Sequence, residues 1–549
     1  MSEPMTRRTV LGAASVAGIG GVAALHRFTA QDGPASPGEQ DLVSEDRSSD
    51  DEPLVIAGVS APVSLDPALS VDTETERICR QIFETLLGVD GDTGGTSPLL
   101  AEEWDSSDDG LRYTFTLRAG VTFHDGAALD AEAVVANVER WGRLDELYGS
   151  GNMRRSPTPA FVSVFGGFFG DDSCMLESVE AEDENTVTLT LSEPIVHLPQ
   201  ALTLPAFGIA SPQVLSDADP GLVSRRPTGS GAYRLVQSEE ADITLKAFDD
   251  YWGPAPEVGT VTVRSLPRSF DRLRELRRGQ LDVYDYITAD NLRPLVQSGR
   301  LILQRDPFSV LYVGFNMDHP VMEDLRVRQA AAHAVDRTAL IERFFLDGTR
   351  TAHQFTPPAL SVQSDSVERF GYDRTEAEEL LEEAGYDGEP LPFYYPMHAT
   401  RSYLPQPEAV YAAVAADLTA AGFVLSPRPV AWEDDYVDTM LRDEDRAMHL
   451  LGRNGGYRSA HSFLGPLFGR RTDEFHYDSE EVRDLLVEAR GMSSEDRRRE
   501  TYREIADLVS EDLPALPLAY PISGLALGRE VSDYPMSPVL HELFRDIRR

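Results

Sequence analysis

Residues 109–134 read DGLRYTFTLRAGVTFHDGAALDAEAV, and this stretch carries the clearest structural pattern in the chain. Apolar and polar side chains alternate through LRYTFTLR at 111–118, which predicts a half-buried β-strand. Asp125 and Gly126 then predict a turn, and Asp130 predicts the N-terminal cap of a helix. A strand, a turn and a helix in this order indicate an α/β protein.

The same alternation of short strands and helices continues along the chain. TVTLTL at 186–191 predicts a second strand, and Asp324 predicts the start of another helix. Thr375 and Glu378 predict a capping box, with Gly385 ending that helix. The predicted fold class is therefore α/β with mixed sheets.

The charge balance narrows the function. The chain has 549 residues, too many for one core, and its 92 acidic and 50 basic residues give a net charge of −42. Lys246 is the only lysine. An acidic surface of this kind excludes nucleic-acid binding, which needs cations at the phosphates.

The same charge predicts a salty environment. At about 1 M salt the screening length falls to roughly 3 Å, so the acidic side chains no longer repel one another strongly. We therefore predict a protein of a salt-accumulating, haloarchaeal-like organism.

The N-terminus predicts export. Arg7 and Arg8 precede an uncharged run from Val10 to Leu25 that is shorter than the ~20 residues of a membrane span. This pattern resembles the twin-arginine export signal, so we predict a signal segment at 1–30. Residues 31–52 are rich in Pro, Gly, Ser and acid, which predicts a disordered acidic tether. Cleavage of the signal and an uncleaved N-terminal anchor both remain open.

Sequence patterns of catalysis are missing. The chain has no GxSxG or HExxH motif, and Lys246 lacks the glycines of a phosphate loop. We therefore predict a binding protein with no cofactor rather than an enzyme, and a secreted hydrolase is only a remote alternative. Helical spacing around Cys79 predicts a buried thiol, while a disulfide with Cys174 stays open.

Several motifs, in order from about Leu54 to the C-terminus, identify a family. Together they resemble the family 5 solute-binding proteins of ABC transporters, which take up dipeptides, oligopeptides and nickel. The 109–134 stretch is the most specific of them. The others are LDP at 65–67, FETLLG at 83–88, PLLAEEW at 98–104, RPTGSGAYRL at 226–235, YWGPAP at 251–256, RRGQLDV at 277–283 and DLRVRQAAAHAVDR at 324–337.

Each of these motifs also has a plain structural role, and we expect none of them to contact a ligand. The 324–337 helix has an apolar stripe with arginines on its other side, which is typical of a core-packing helix. Gly229, Gly231 and Gly253 are expected in tight turns.

The resemblance implies a large periplasmic-binding-protein-like fold with two lobes that close on a ligand about a hinge. Lobe one would contain 53–283 and 513–549, with an inserted subdomain at 96–195, and lobe two would contain 284–512. The implied partners are an ABC permease and its separate ATPase subunits. We expect a monomer at the outer face of the cytoplasmic membrane or outside the cell, touching the membrane only through its partner or an uncleaved N-terminus.

GRNGGYRSAHSFL at 452–464 falls where the resemblance implies a ligand-facing wall of lobe two. Peptide binders of the family usually carry aspartates there, but this chain has no acidic residue from Arg446 to Thr472. An acid-free segment in so acidic a protein indicates a buried loop or a cleft wall. The predicted ligand-binding residues are Arg453, Asn454, Tyr457, Arg458 and His461.

The ligand class stays divided at this point. The planar forks of Arg453 and Arg458 suit a carboxylate, and a peptide or peptide-like solute is the first expectation. A nickel chelate or another anionic small molecule is the alternative, with His461 as a metal ligand. The nickel-binding branch of the family also carries an arginine in the segment that matches 204–212. This chain has Gly208 at that place, so its match to the nickel-binding branch is incomplete.

Overall fold

The computed structural model describes residues 52–149, 159–239 and 242–549, so the predicted signal segment and residues 31–51 of the predicted tether lie outside the described residues. Within these ranges the chain forms 19 strands. The strands are β1 Leu54–Gly58, β2 Leu87–Val89, β3 Thr96–Pro98, β4 Ala101–Ser106, β5 Arg112–Leu117, β6 Leu176–Asp183, β7 Thr186–Leu191, β8 Tyr233–Glu239, β9 Asp242–Ala247, β10 Thr260–Ser265, β11 Val283–Asp285, β12 Leu301–Arg305, β13 Ser309–Phe315, β14 Arg350–Thr351, β15 Leu391–Met397, β16 Leu425–Ala431, β17 Met448–Asn454, β18 Ala515–Tyr520 and β19 Ser523–Leu527.

Sixteen α-helices connect these strands in the described part of the chain. The helices are α1 Thr73–Ile82, α2 Ala131–Gly142, α3 Leu144–Tyr148, α4 Ala160–Phe165, α5 Leu198–Ala201, α6 Leu222–Arg225, α7 Ser269–Arg277, α8 Ala289–Gln297, α9 Leu325–Ala334, α10 Arg337–Phe344, α11 Arg374–Ala384, α12 Pro407–Ala420, α13 Tyr436–Arg442, α14 His461–Phe468, α15 Glu480–Gly491 and α16 Glu495–Asp512. The predicted mixed α/β class is confirmed.

Two large mixed sheets organise the two lobes. One has seven strands in the order β12-β19-β11-β1-β10-β9-β8, and the other has six in the order β14-β18-β13-β17-β15-β16. Parallel pairs join β1 to β10 and β11, and β15 to β16 and β17, while the remaining neighbours in both sheets are antiparallel. A separate four-stranded sheet, β4-β5-β7-β6, lies within the predicted inserted subdomain.

The chain passes between the two large sheets twice. It crosses at residues 306–308, after β12, and returns at 521–522, before β19. The lobe boundaries at 283/284 and 512/513 stay predictions. Sheet membership favours placing them at these two crossings instead, because β12 pairs with β19 and β18 pairs with β13.

The pattern at 109–134 folds as predicted. In β5, Tyr113, Phe115 and Leu117 are buried while Arg112 and Thr116 are exposed. A turn follows, in which Gly126 takes the left-handed φ of 85°. Asp130 caps α2 by accepting a hydrogen bond from the amide of Ala133 at 2.9 Å.

Two local expectations were wrong. The cap of α11 is Asp373, whose carboxylate accepts from the amides of Thr375 and Glu376, so Thr375 lies inside the helix and no capping box forms. Gly385 does end α11, with φ at 72°. Gly229 and Gly231 have no positive φ and serve close packing instead, since a Cβ at Gly229 would lie 2.1 Å from the carbonyl oxygen of Ile82.

The arginines of the 324–337 motif do not share one exposed side of α9. Asp324 caps this helix as predicted, and Arg326 is exposed. Arg328 is buried, and it donates to the carbonyl oxygens of Met322, Glu323, Asp512 and Leu513. The motif therefore joins α9 to the end of α16.

The two cysteines are not paired. Cys79 is buried in α1, as predicted, and burial raises the pKa of its thiol. Cys174 is half-buried. Among the helices of residues 52–149, 159–239 and 242–549, none combines the length and apolar character of a membrane span.

Candidate functional site

A cavity of about 590 Å³ lies between the start of α1 and the two central strands of the six-stranded sheet, β13 and β17. One wall comes from the elements around the seven-stranded sheet and the inserted subdomain: Ser70, Val71, Asp72, Thr73, Glu76, Ala160, Ser163, Val164 and Leu204. The other wall comes from the six-stranded sheet and the segments around it: Tyr312, Arg401, Tyr403, Trp432, Val437, 451–457, Ser462, Pro466, Leu467 and 470–474. Three other cavities hold only about 10 to 30 Å³ each, the space of one or two waters.

Three of the predicted ligand residues line this cavity. β17 pairs with β13 up to Asn454, and residues 455–457 then leave the sheet along the cavity wall. Arg453 donates from Nε to the carbonyl of Ser462 at 3.2 Å. Asn454 accepts from the hydroxyl of Ser402 at 2.7 Å. Tyr457 is buried, and burial raises the pKa of its hydroxyl.

Arg458 and His461 do not line the cavity. Arg458 is exposed and donates to the carbonyl of Ala359 at 3.0 Å. His461 begins α14, and its ring stacks on His197 at 4.3 Å between centroids. Burial lowers the pKa of His461 to about 4, so the ring is neutral at neutral pH. We retain neither residue as a ligand contact, and the metal role of His461 has no support in this position.

Sequence reasoning missed Arg401. This side chain is only 6% exposed, yet it lines the cavity. Its guanidinium lies 3.8 Å from the centre of the Trp432 ring, and its buried Nε has no hydrogen-bond partner in the structure. Nothing in the sequence ATRSYL distinguished Arg401 from the other 48 arginines.

Sequence reasoning also missed an acidic group at the end of the acid-free span. Asp473 and Glu474 follow Thr472 directly, and both line the cavity. Asp473 is exposed, whereas the Glu474 side chain is only 15% exposed. Glu474 accepts from the hydroxyl of Tyr312 at 2.6 Å and lies 3.5 Å from the imidazole of His449.

The acids of the opposite wall have partners within the protein. Asp72 caps α1 by accepting from the amides of Glu74 and Thr75. Glu76 lies 3.6 Å from the guanidinium of Arg80. These carboxylates stabilise α1, whereas the buried Nε of Arg401 has no hydrogen-bond partner.

The charges of the cavity suit the binding of a polar solute. Residues 52–149, 159–239 and 242–549 contain no group of three or more His, Cys, Asp or Glu side chains placed to hold a metal ion. A cavity with one buried cation and one buried anion can instead hold a polar solute by charge and hydrogen bonds.

Comparisons with known proteins agree with the fold and the motifs. The Haemophilus influenzae "Heme-binding protein A" is 25% identical over 94% of this chain and 96% of its own length. The Escherichia coli "Dipeptide-binding protein" is 24% identical over 90% and 94%. The Helicobacter pylori binding protein DppA, solved with the peptide STSA, superposes with a TM-score of 0.81 at 24% identity, covering 90% of this chain and 98% of that one.

A family model settles the classification. The model described as "Bacterial extracellular solute-binding proteins, family 5 Middle" matches residues 95–475, well over half of the chain. The superposition with DppA places the two large sheets in the two-lobed architecture of periplasmic binding proteins. The chain therefore belongs to the family 5 extracellular solute-binding proteins.

Proposed function

We propose that this protein binds a peptide or peptide-like solute with a free carboxylate in the 590 Å³ cavity and delivers it to an ABC permease with separate ATPase subunits. We infer that it binds the solute as a monomer without chemical turnover. Relatives named for dipeptides and, in one case, for heme support this class of cargo. The cavity volume lies within the roughly 300–1,000 Å³ of small-molecule sites.

The unpartnered guanidinium of Arg401 carries this proposal. Burying a cation without a counter-charge is costly, and Arg401 makes no ion pair or side-chain hydrogen bond with any residue the structure describes. The guanidinium lies over the Trp432 ring, and we infer that its donor edge faces the cavity that Arg401 lines. A carboxylate fits that edge through two parallel hydrogen bonds.

Arg453 supplies a second positive charge on the same wall. Its Nε is engaged with the Ser462 carbonyl, but the side chain is half-buried and lines the cavity. Asn454 and Tyr457 remain proposed contacts for the polar and apolar parts of the solute. An uptake receptor of this kind needs a Kd near 1 μM, about −8 kcal/mol.

The test starts from a tryptic digest of casein. Peptides retained by the purified protein in molar salt are eluted and identified by mass spectrometry. One retained peptide and its C-terminal amide are then compared by calorimetry. The amide should bind about tenfold more weakly or worse, since a hydrogen bond to a charged group contributes about 1.5–3 kcal/mol.

Two arginine variants make this test specific to the cavity. Arg401→Gln should weaken binding of the free acid about as much as amidation does. Arg458→Gln is the matched control, because Arg458 is exposed and lies outside the cavity. Binding by Arg401→Gln at parental affinity, or retention of no peptide at all, would refute the proposal.

We also propose export through the paired Arg7 and Arg8, and adaptation of the −42 surface to high salt. The export proposal rests on the sequence pattern alone, because residues 1–51 lie outside the described part of the chain. The proposal of salt adaptation rests on the net charge of the whole sequence. Replacing Arg7 and Arg8 by lysines should keep the protein inside the cell, as followed by immunoblotting of the secreted fraction. Normal secretion of that variant would contradict a twin-arginine route.

A further inference from the structure

We propose that His197 and His461 form a contact between the two lobes that holds them closed over the bound solute and breaks when either ring takes up a proton. Closure on the solute then releases protons, and acid releases the solute. Because a bound solute is what closes the lobes, this role rests on the proposed function and adds a proton-linked step to it. It also gives a role to His461, which does not line the cavity.

The two histidines come from opposite sides of the cavity. His197 directly precedes α5, whose Leu198 packs in the same core as the sheet of the inserted subdomain. His461 begins α14, whose Phe463 packs in a core with β13 of the six-stranded sheet. The two rings stack with 4.3 Å between their centroids and 29° between their planes. Their contact therefore joins the two lobes.

The segment before α5 makes further contacts with the other lobe at the same place. The amide of Val196 donates to the carbonyl of Arg490, at the end of α15, at 2.9 Å. The Arg490 guanidinium forms an ion pair with Glu193. His197 also stacks on Tyr457, which lines the cavity, at 5.7 Å between centroids. This contact region thus borders the cavity, so separating the lobes to free a solute exposes both histidine rings to water.

The histidine pair has no polar partner and no counter-charge while the lobes are closed. Nδ1 of each ring is buried without a hydrogen-bond partner among the described residues. Two guanidiniums act on the pair from α15 and α16, those of Arg490 and Arg498. Glu193 already pairs with Arg490. A proton on either ring would therefore lie close to positive charge, away from water and without an acceptor.

Both rings are neutral in this closed arrangement. Burial, the neighbouring ring and the two arginines hold the pKa of His197 well below its usual range. Burial and Arg490 lower the pKa of His461 to about 4. Tyr457 and its neighbour Tyr502 are neutral as well, because burial raises the pKa of each hydroxyl.

The lowered pKa values favour the open state in acid. Imidazoles in water titrate near pH 6.5, so both rings become charged in the open protein at a higher pH than in the closed one. The closed state is fully favoured above about pH 6.5 and loses this advantage as the pH falls towards the closed-state pKa. For His461 alone, with pKa values of about 6.5 open and about 4 closed, the affinity for the solute should fall roughly thirtyfold between about pH 7.5 and about pH 5.

The pH dependence of binding by the parent protein is the first test. A tryptic digest of casein is offered in molar salt at about pH 7.5, and one retained peptide without histidine is then studied by calorimetry down to about pH 5. We expect its Kd to rise roughly thirtyfold or more. At about pH 5.5, heats measured in two buffers of different ionisation enthalpy should show release of about one proton or more on binding. Circular dichroism at each pH distinguishes release from unfolding.

Two phenylalanine variants then locate the effect. His461→Phe keeps an aromatic ring against His197 but cannot take up a proton, so it should lose its roughly thirtyfold share of the pH dependence and release about one proton fewer. His353→Phe is the matched control. Burial also lowers the pKa of His353 to about 4, but this residue contacts Arg337 within the lobe of the six-stranded sheet and does not line the cavity. Its replacement should leave the pH dependence of binding unchanged.

The outcomes separate this role from the proposed function. A Kd that does not change between about pH 7.5 and about pH 5, or binding without proton release, overturns the role of the pair while peptide binding stands. Parental pH dependence in His461→Phe, or its loss in His353→Phe, also overturns that role, because the effect then comes from other groups. Failure to retain any peptide at about pH 7.5 overturns the proposed function and, with it, the proton-linked release.

Discussion

Replacing Asp285 by asparagine should destabilise the protein strongly, because Asp285 is the centre of a buried ion network. Its carboxylate is fully buried and bonds both Arg77 and Arg305, the latter at 2.6 Å. Arg305 in turn bonds Glu542 at 2.5 Å and is 1% exposed. Arg305 ends β12, where the chain leaves the seven-stranded sheet, so the network stabilises one of the two crossings.

The expected loss follows from burial. Removing one partner of a buried pair leaves the remaining charge uncompensated and costs about 3–5 kcal/mol. Asp285→Asn leaves two buried guanidiniums that share Glu74 and Glu542 as their remaining acids. Against a total stability of roughly 5–15 kcal/mol, this is a large change.

Glu378→Gln is the matched control. Glu378 pairs with Arg374 at 2.7 Å, but the two side chains are 49% and 56% exposed. An exposed helical pair of this kind contributes about 0.3–0.5 kcal/mol. Each variant removes one negative charge, so both relieve the general repulsion of the acidic surface equally.

Urea unfolding of both variants, in low and in molar salt, measures the difference. Asp285→Asn should lower the free energy of unfolding by several kcal/mol under both conditions, since a buried pair is poorly screened. Glu378→Gln should have a small effect that disappears in molar salt. Equal losses in the two variants would refute the assignment of stability to the buried network.

Three further predictions concern stability. The pKa of His461 is about 4 in the folded protein and about 6.5 when unfolded, so the free energy of unfolding should fall by up to about 3 kcal/mol as the pH drops from 6.5 to 4. Melting curves of the parent and of His461→Gln at several pH values check this prediction. The same pH dependence in both proteins would contradict it. Gly229→Ala should lower the free energy of unfolding in urea by about 1–3 kcal/mol, because the added carbon would clash with Ile82. Gly371→Ala is the control and should change it little, since nothing lies within 4 Å of the added carbon. Similar losses in the two variants would argue against close packing at Gly229. Lowering the salt concentration from about 1 M to about 0.1 M lengthens the screening distance from about 3 to about 10 Å, so the melting temperature should fall. A melting temperature that does not depend on salt would contradict adaptation of this chain, with its net charge of −42, to high salt.

Most local structure was predictable because its signals are local. Alternating side chains at 111–118 and 186–191 became β5 and β7, and Asp130 and Asp324 cap helices. The partner of a strand leaves no such signal. β12 pairs with β19, far along the chain, so the sequence could not indicate that residues 301–305 belong to the seven-stranded sheet.

The sequence predicted part of the candidate site, namely Arg453, Asn454 and Tyr457, which all line the cavity. Arg453 and Asn454 end β17 and face the cavity, as the acid-free span suggested. Beyond them the chain bends through glycines, so Arg458 turns outward and His461 packs on His197. Spacing along a sequence cannot give these directions, because each depends on contacts with distant segments.

The arginines of this nearly lysine-free chain explain why Arg401 stands apart. A guanidinium has five donors in a fixed plane, so a buried arginine can bridge several carbonyl oxygens that an ammonium would not reach together. Four buried arginines each donate to at least three main-chain carbonyls: Arg272, Arg328, Arg337 and Arg446. Arg401 is as buried as Arg337 but has no such acceptor. Its guanidinium lies over the Trp432 ring and lines the cavity, so we propose that a carboxylate of the solute supplies the missing acceptor, because it matches both the charge and the geometry of the guanidinium.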